Sequence, residues 1–167
     1  MKRFLKILII FIVFGCQSRN FKEIDKNLPD EEISNFKVLY SVNGIRRWEL
    51  CAGHAFSFGD TTLIYGVTLS IYDSLGNFDL KITADSGILY QNNMEALGNV
   101  TAISKDSIIL KTHKLQWIDD VKKVYSPEVL IIKEGKRIRG KDFESDQTLN
   151  KIKMRSIYGA GNDTCDK

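Results

Sequence analysis

Proline is nearly missing from this chain, with 2 in 167 residues, and cysteine and histidine are scarce at 3 and 2. Three cysteines cannot build a small disulfide-stapled scaffold. A hydrophobic content of 43% with 10% aromatics excludes a disordered polymer. No apolar run reaches the ~20 residues of a membrane-spanning helix. No acidic residue occurs in the first fifteen positions. Two histidines and no D-x-D-x-D-G loop leave little for a metal site, and no cofactor motif is complete.

The charge that is present is unevenly placed. The chain carries 24 Lys+Arg against 21 Asp+Glu, a formal +3. Lys2, Arg3 and Lys6 precede the apolar run at 7–14 (ILIIFIVF), and Gly15 and Cys16 follow it. A basic start, a short apolar stretch and a small residue form a secretory signal pattern. Val13, Phe14, Gly15 and Cys16 resemble a bacterial lipobox, which makes Cys16 the expected lipid-attachment residue. Removing residues 1–15 takes away three basic side chains and leaves 21 of each sign. Bulk attraction to nucleic acid is therefore not expected. Several acyl chains anchor a protein stably, at about 0.8 kcal/mol per buried CH₂. Residues 16–35, with Pro29, read as the lipidated end and a polar tether, with a helical turn expected near Asp30 and Ile33.

From residue 36 onward the chain alternates apolar and polar residues with period 2. Leu63, Tyr65, Val67, Leu69 and Ile71 fall on one expected face, as do Phe78, Leu80, Ile82 and Ala84. Val129 and Ile131 oppose Leu130 and Ile132, and Ile152 and Met154 alternate with Lys151, Lys153 and Arg155. Turn chemistry marks Asn43-Gly44, Gly59-Asp60, the 74–77 stretch, Asn92-Asn93, Lys105-Asp106, Asp119-Asp120, Ser126-Pro127 and Gly135. About ten short strands predict an all-β antiparallel fold over residues 36–158, with 159–167 a flexible tail. A faint repeat of about 28–29 residues relates Thr83-Ala84, Gly98-Asn99, Thr112-His113, Ser126-Pro127 and Gly140.

Few residues suggest reaction chemistry. GKRIRGK at 135–141 nearly spells a phosphate-binding loop, but Asp142 replaces the hydroxyl residue that Mg²⁺ needs. Cys51 and His54 are three apart, so on a regular strand they point to opposite faces. Cys51 and Cys165 are the thiols left if Cys16 is lipidated, and a disulfide between them is open. Lys151, Lys153 and Arg155 form a basic stripe that either protects an edge strand or meets a partner's acids or a phosphorylated sugar. No acid pair or triad suggests an enzyme, and no catalytic or metal residue is assigned.

The order of motifs from Trp48 to Leu149 is more specific than any one of them. Trp48, Leu50 and Ala52 form W-x-L-x-A; Ile82, Ala84 and Gly87 form a hydrophobic-x-A-x-x-G turn. Gly98-Asn99-Val100, Thr112 with Leu115 and Trp117, Pro127 with Val129, and Gly140 with Asp142-Phe143 and Asp146 follow. Over residues 37–158 this pattern resembles the LptC family, the periplasmic component of the lipopolysaccharide export transporter. The resemblance implies an open, twisted antiparallel β-jellyroll of the LptA/LptC/OstA type, not an enzyme. It implies an apolar groove for lipid A, for which alternation offers Phe78, Leu80, Ile82, Leu89, Val100, Ile109, Leu115, Trp117, Val129, Ile131, Phe143, Ile152 and Met154. Trp48, Gly87, Gly98, Thr112 and Gly140 are the motif's structural positions. The implied partners are the inner-membrane ABC transporter subunits, facing residues 36–58, and the next periplasmic jellyroll, joined by edge-strand addition to residues 150–158. The family type keeps a transmembrane helix, whereas this chain carries a lipobox. Gln17 after Cys16 is not the Asp that holds enteric lipoproteins in the inner membrane, so an outer-membrane or surface lipoprotein using the same fold for lipid binding or adhesion is the alternative.

Overall fold

The structure is a computed structural model that describes residues 28–91 and 93–162. The expected signal segment, Cys16 and Cys165 lie outside the described residues. Nine strands run in chain order: β1 (Glu31–Val42), β2 (Ile45–Phe58), β3 (Thr61–Tyr72), β4 (Phe78–Tyr90), β5 (Asn93–Ser104), β6 (Ile109–Ile118), β7 (Lys123–Lys133), β8 (Lys136–Asp146) and β9 (Ser156–Asn162). They form one sheet in the order β1 to β9, every pair antiparallel. The two ends of the sheet, β1 and β9, are not paired to each other. This is the expected all-β, open, antiparallel fold.

A single sheet has two faces, yet the chain buries one contiguous core. A break in the pleat reconciles these facts. In β2 the buried positions go from Leu50 and Ala52 to Ala55; in β3 from Ile64 to Val67 and Leu69; in β8 from Gly140 to Phe143. The inward parity switches in β4, β6 and β7 as well, between Ile82 and Gly87, Leu110 and Leu115, Ser126 and Val129. In β5 the parity holds, but Gly98 and Asn99 both take positive φ, 71° and 42°. Ladder pairing is interrupted at the same places, for instance between Thr83 and Ser86 and between Leu97 and Val100. An extra residue in a ladder bends the strand locally. Aligned across neighbouring strands, these breaks fold the sheet along one line into two facing half-sheets.

Ala84, Gly98, Thr112, Ser126 and Gly140, fourteen residues apart, all lie on this line. The faint repeat is therefore the bend, met once per strand. Ser126-Pro127 is not a turn, as expected from sequence, but part of β7. Pro127 is tolerated there because residues 126–129 and 112–115 lose their mutual pairing, so no ladder donor is needed. Leu63 and Tyr65 do not share the face of Val67 either, since the switch at Gly66 turns them outward.

Two boundaries differ from expectation. β1 begins at Glu31, so residues 31–34 pair with β2 and form no helical turn. Residues 151–155 are not a strand. Glu144 and Lys153 form a lone bridge, and β9 starts at Ser156 and continues through Asn162. Gly140 explains this, because a Cβ there would lie 2.4 Å from Met154 Sδ and 2.9 Å from Ser156 O. Met154 thus occupies the space over Gly140 and holds the segment off the ladder.

Gly98 combines a left-handed φ with a close contact, since a Cβ there would meet Asp85 Oδ2 at 2.7 Å. Gly53, at the β2 break, has neither feature. We expect Gly98→Ala to lower unfolding stability by about 1–3 kcal/mol and Gly53→Ala to cost about 0.5 kcal/mol or less. Urea denaturation of both variants checks this; equal midpoints would contradict the assignment of strain to the β5 joint.

Candidate functional site

The interior between the half-sheets is the candidate lipid site. Leu80, Ile82, Val100, Leu115, Trp117, Val129, Ile131 and Phe143 are all buried in the one apolar cluster. Leu89, Ile152 and Met154 are partly buried and pack against it. Two expected groove positions do not point inward. Ile109 faces outward between Ile103 and Ile132, because its neighbours Ile108 and Leu110 take the interior. Phe78 is 40% exposed and meets Tyr72 edge-on at the β3–β4 hairpin end.

At one mouth the interior holds a cavity of about 90 Å³. Val38, Trp48, Leu50 and Leu69 line it from one half-sheet, and Leu89, Met94 and Trp117 from the other. Trp48 is also stacked on Tyr40 of β1, at 5.4 Å between ring centres. The indole Nε1 of Trp117 is buried without a hydrogen-bond partner. Sequence reasoning placed Trp117 here but missed Val38, Leu50, Leu69 and Met94. The alternation around Leu50 and Leu69 was visible, whereas their meeting with Leu89 depends on the fold at the bend.

β1 differs from the other strands. Ile33, Val38, Leu39, Tyr40 and Val42 are all exposed, on both faces of the strand and beside an edge that no other described strand pairs. Exposed edges usually carry charge or proline to prevent pairing with other chains. Lys37 is the one cation of β1, and Glu49 of β2 engages it at 2.8 Å.

The structural motif residues have local roles. Thr112 Oγ1 donates to Glu128 O at 2.6 Å and lies 2.9 Å from Ser126 Oγ. Ser126 Oγ donates to Lys114 O at 2.8 Å. These hydroxyls satisfy carbonyls that have lost their ladder partners at the bend. Asn99 Nδ2 donates to Asp85 Oδ2 at 2.7 Å across the neighbouring joint. Gly87 lies against the Ile64 side chain, with a would-be Cβ contact of 3.2 Å.

Cys51 and His54 both face outward, contrary to the expectation of opposite faces, because the pleat switches at Gly53 between them. Each has its own neighbour: Cys51 Sγ lies 4.0 Å from Glu49 Oε1, and His54 Nδ1 lies 3.2 Å from Ser34 Oγ. Lys151, Lys153 and Arg155 are exposed, with Arg155 3.5 Å from Asp142. Among the described residues no group of three His, Cys, Asp or Glu side chains is placed to hold a metal ion.

Paired charges lie mainly on the outer surface. Lys114 donates to Glu95 at 2.7 Å and Gln116 donates at 2.9 Å, holding the Glu95 carboxyl below the usual glutamate range despite partial burial. With its folded pKa below its unfolded one, the carboxylate stabilises the fold fully above about pH 4.3. That contribution fades as pH falls through the depressed folded value. We expect Glu95→Gln to lower the urea midpoint at pH 7, and the gap from the parent protein to narrow below about pH 4. A gap independent of pH would show that the Glu95 charge is not responsible.

No known protein-family profile matches the chain, and no curated protein matches its sequence. Among solved structures, it is similar to the crystal structure of LptH, the LptA homologous periplasmic component of the conserved lipopolysaccharide transport device from Pseudomonas aeruginosa. That similarity has a TM-score of 0.36 and 14% identity, and covers 78% of this chain and 84% of that chain.

Proposed function

We propose that this chain is a lipid-anchored periplasmic bridge, which receives lipopolysaccharide from an inner-membrane ATP-driven transporter and passes it to the next jellyroll. The observation that carries the reading is an apolar interior between two half-sheets that no strand among the described residues closes. An acyl chain needs such a dry, unsealed slot, because burying its methylenes is the driving force for leaving a membrane. The cavity in hand is smaller than a lipid A acyl chain, so loading parts the half-sheets at the mouth beside β1. The buried Trp117 Nε1 offers a donor to an ester or amide oxygen that enters with the chain.

The two open edges supply the route onward. Lipid moves between proteins without crossing water if their interiors join, and strand addition at an edge joins them. β1 faces the transporter in this reading, and β9 faces the next jellyroll, replacing residues 150–155 as the contact strand. Cys16 supplies the anchor to the inner membrane. Gln17 favours a second reading, an outer-membrane or surface lipoprotein using the same interior for lipid binding or adhesion.

Both tryptophans of the chain, Trp48 and Trp117, line the cavity. Lipid A binding should therefore shift the intrinsic fluorescence to the blue and saturate. Val38→Asp places a charge at the mouth on an already 40% exposed residue, so the fold should persist. We expect it to weaken lipid A binding by about tenfold, in line with the cost of a polar group set against an apolar ligand. Emission unchanged by lipid A, or undiminished binding by a folded Val38→Asp protein, would overturn the interior as the lipid site.

A further inference from the structure

A second recess lies apart from the cavity of the apolar interior. It is an open hollow of about 850 Å³ over the joint between β6 and β7. Lys111, His113 and Lys114 of β6 and Arg139 and Lys141 of β8 line it, with Glu128 of β7 between them. We propose that this hollow binds a phosphate-bearing anion, at a site separate from the lipid interior.

Register brings the cations together. Lys111 pairs with Leu130, and Leu130 with Arg139, so the two flank one residue on the outer face. Two ladder spacings separate their backbones by about 10 Å, within which both long side chains converge on one group. Lys141 pairs with Glu128 one step further along. The hollow has depth because residues 112–115 and 126–129 do not pair across the joint, and Pro127 brings no N–H to fill the gap.

The neighbouring acids are already engaged. Glu95 binds Lys114, and Glu128 is held by a hydrogen bond from the Tyr158 hydroxyl, which fixes its place but leaves its negative charge. Lys141 lies over the Tyr158 ring at 5.9 Å. Among the described residues Lys111 and Arg139 form no ion pair, and His113 has no hydrogen-bonded side-chain partner.

Elsewhere this sheet sets opposite charges across strands, as in Lys37–Glu49, Lys114–Glu95 and Lys123–Glu144. Lys111, Arg139 and Lys141, besides the Lys114 that Glu95 holds, line this hollow against the one acid Glu128, and that excess of positive charge favours an anion. Arg139 offers the planar fork that meets two phosphate oxygens at once, and Lys111 a mobile point charge. The hollow is open to solvent, so either free phosphate or a phosphate on a lipid headgroup can reach it.

Calorimetric titration of the full chain separates these sources. Inorganic phosphate is one probe, water-soluble dihexanoyl phosphatidic acid the second, and dihexanoyl phosphatidylcholine the comparison. Saturable binding of phosphate and phosphatidic acid alike assigns the site to the phosphate group. Binding of phosphatidic acid alone assigns it to a phosphorylated lipid. Lys111→Gln combined with Arg139→Gln should weaken binding by about tenfold or more, and Arg139→Lys should recover part of it. Lys151→Gln with Lys153→Gln should leave it within about twofold, and Val38→Asp at the interior mouth should leave the binding of inorganic phosphate within about twofold. Thermal melts confirm that each variant is folded. Absence of saturable binding by either anion, or an equal loss in the Lys151/Lys153 variant, overturns the proposal; the Val38→Asp result keeps that outcome separate from failure of the lipid reading.

Discussion

Everything in this fold depends on an aligned interruption of the β-ladder. A nine-stranded meander with strict alternation would be an open ribbon with one wet apolar face. Switching the inward parity at Gly53, Gly66 and the joints of β4, β6, β7 and β8, with the left-handed Gly98 and Asn99 in β5, lets both halves of these strands point at one interior. The cost is unpaired backbone at every joint. Thr112, Ser126 and Asn99 meet that cost with side-chain hydrogen bonds to carbonyls and to Asp85. Gly98 and Asn99 also take left-handed backbone at their joint.

The same interruption explains what was legible in the sequence. Period 2 identified strands because it holds within each half-strand, and turn chemistry at Asn43-Gly44, Gly59-Asp60 and Gly135 located hairpin ends correctly. Wherever a reading crossed a joint, it failed. Tyr65 and Val67 were set on one face and Cys51 and His54 on two, each error being one pleat switch. Ser126-Pro127 read as a turn because proline and serine favour turns and broken ladders for the same reason, a backbone with no partner to bond. Ile109 was misassigned differently. Ile108, Ile109 and Leu110 are consecutive aliphatics, and alternation alone cannot say which of the three faces in.

The candidate site was half legible for a related reason. Buried residues such as Ile82, Leu115 and Phe143 follow from pattern within a half-strand. The cavity wall does not, because it joins Leu69 of one half-sheet to Leu89 and Met94 of the other. The misread C-terminal strand shows a third limit. Lys151 to Arg155 alternate well, but Met154 fills the space over Gly140, and the segment keeps only a lone bridge at Lys153 and one bond from Arg155 N to Lys141 O. Alternation states what a segment could do as a strand; a neighbouring glycine decides whether it does.

Leaving the sheet unclosed has a consequence for assembly. The two edges are chemically unlike. β1 is twelve residues long and carries bulky exposed side chains on both faces, whereas β9 has seven residues with Gly159 and Gly161 among them. Joining β1 to β1 would give a closed two-fold pair. Joining a β9-type edge to a β1-type edge is heterologous, and such contacts do not close unless a rotation returns them to the start. A twisted sheet extended through that contact continues its two half-sheets into the next molecule. The apolar interior then becomes longer without becoming wider. In the proposed bridge, an unclosed edge, ordinarily a liability, is therefore the feature that would let one chain's interior run into another's.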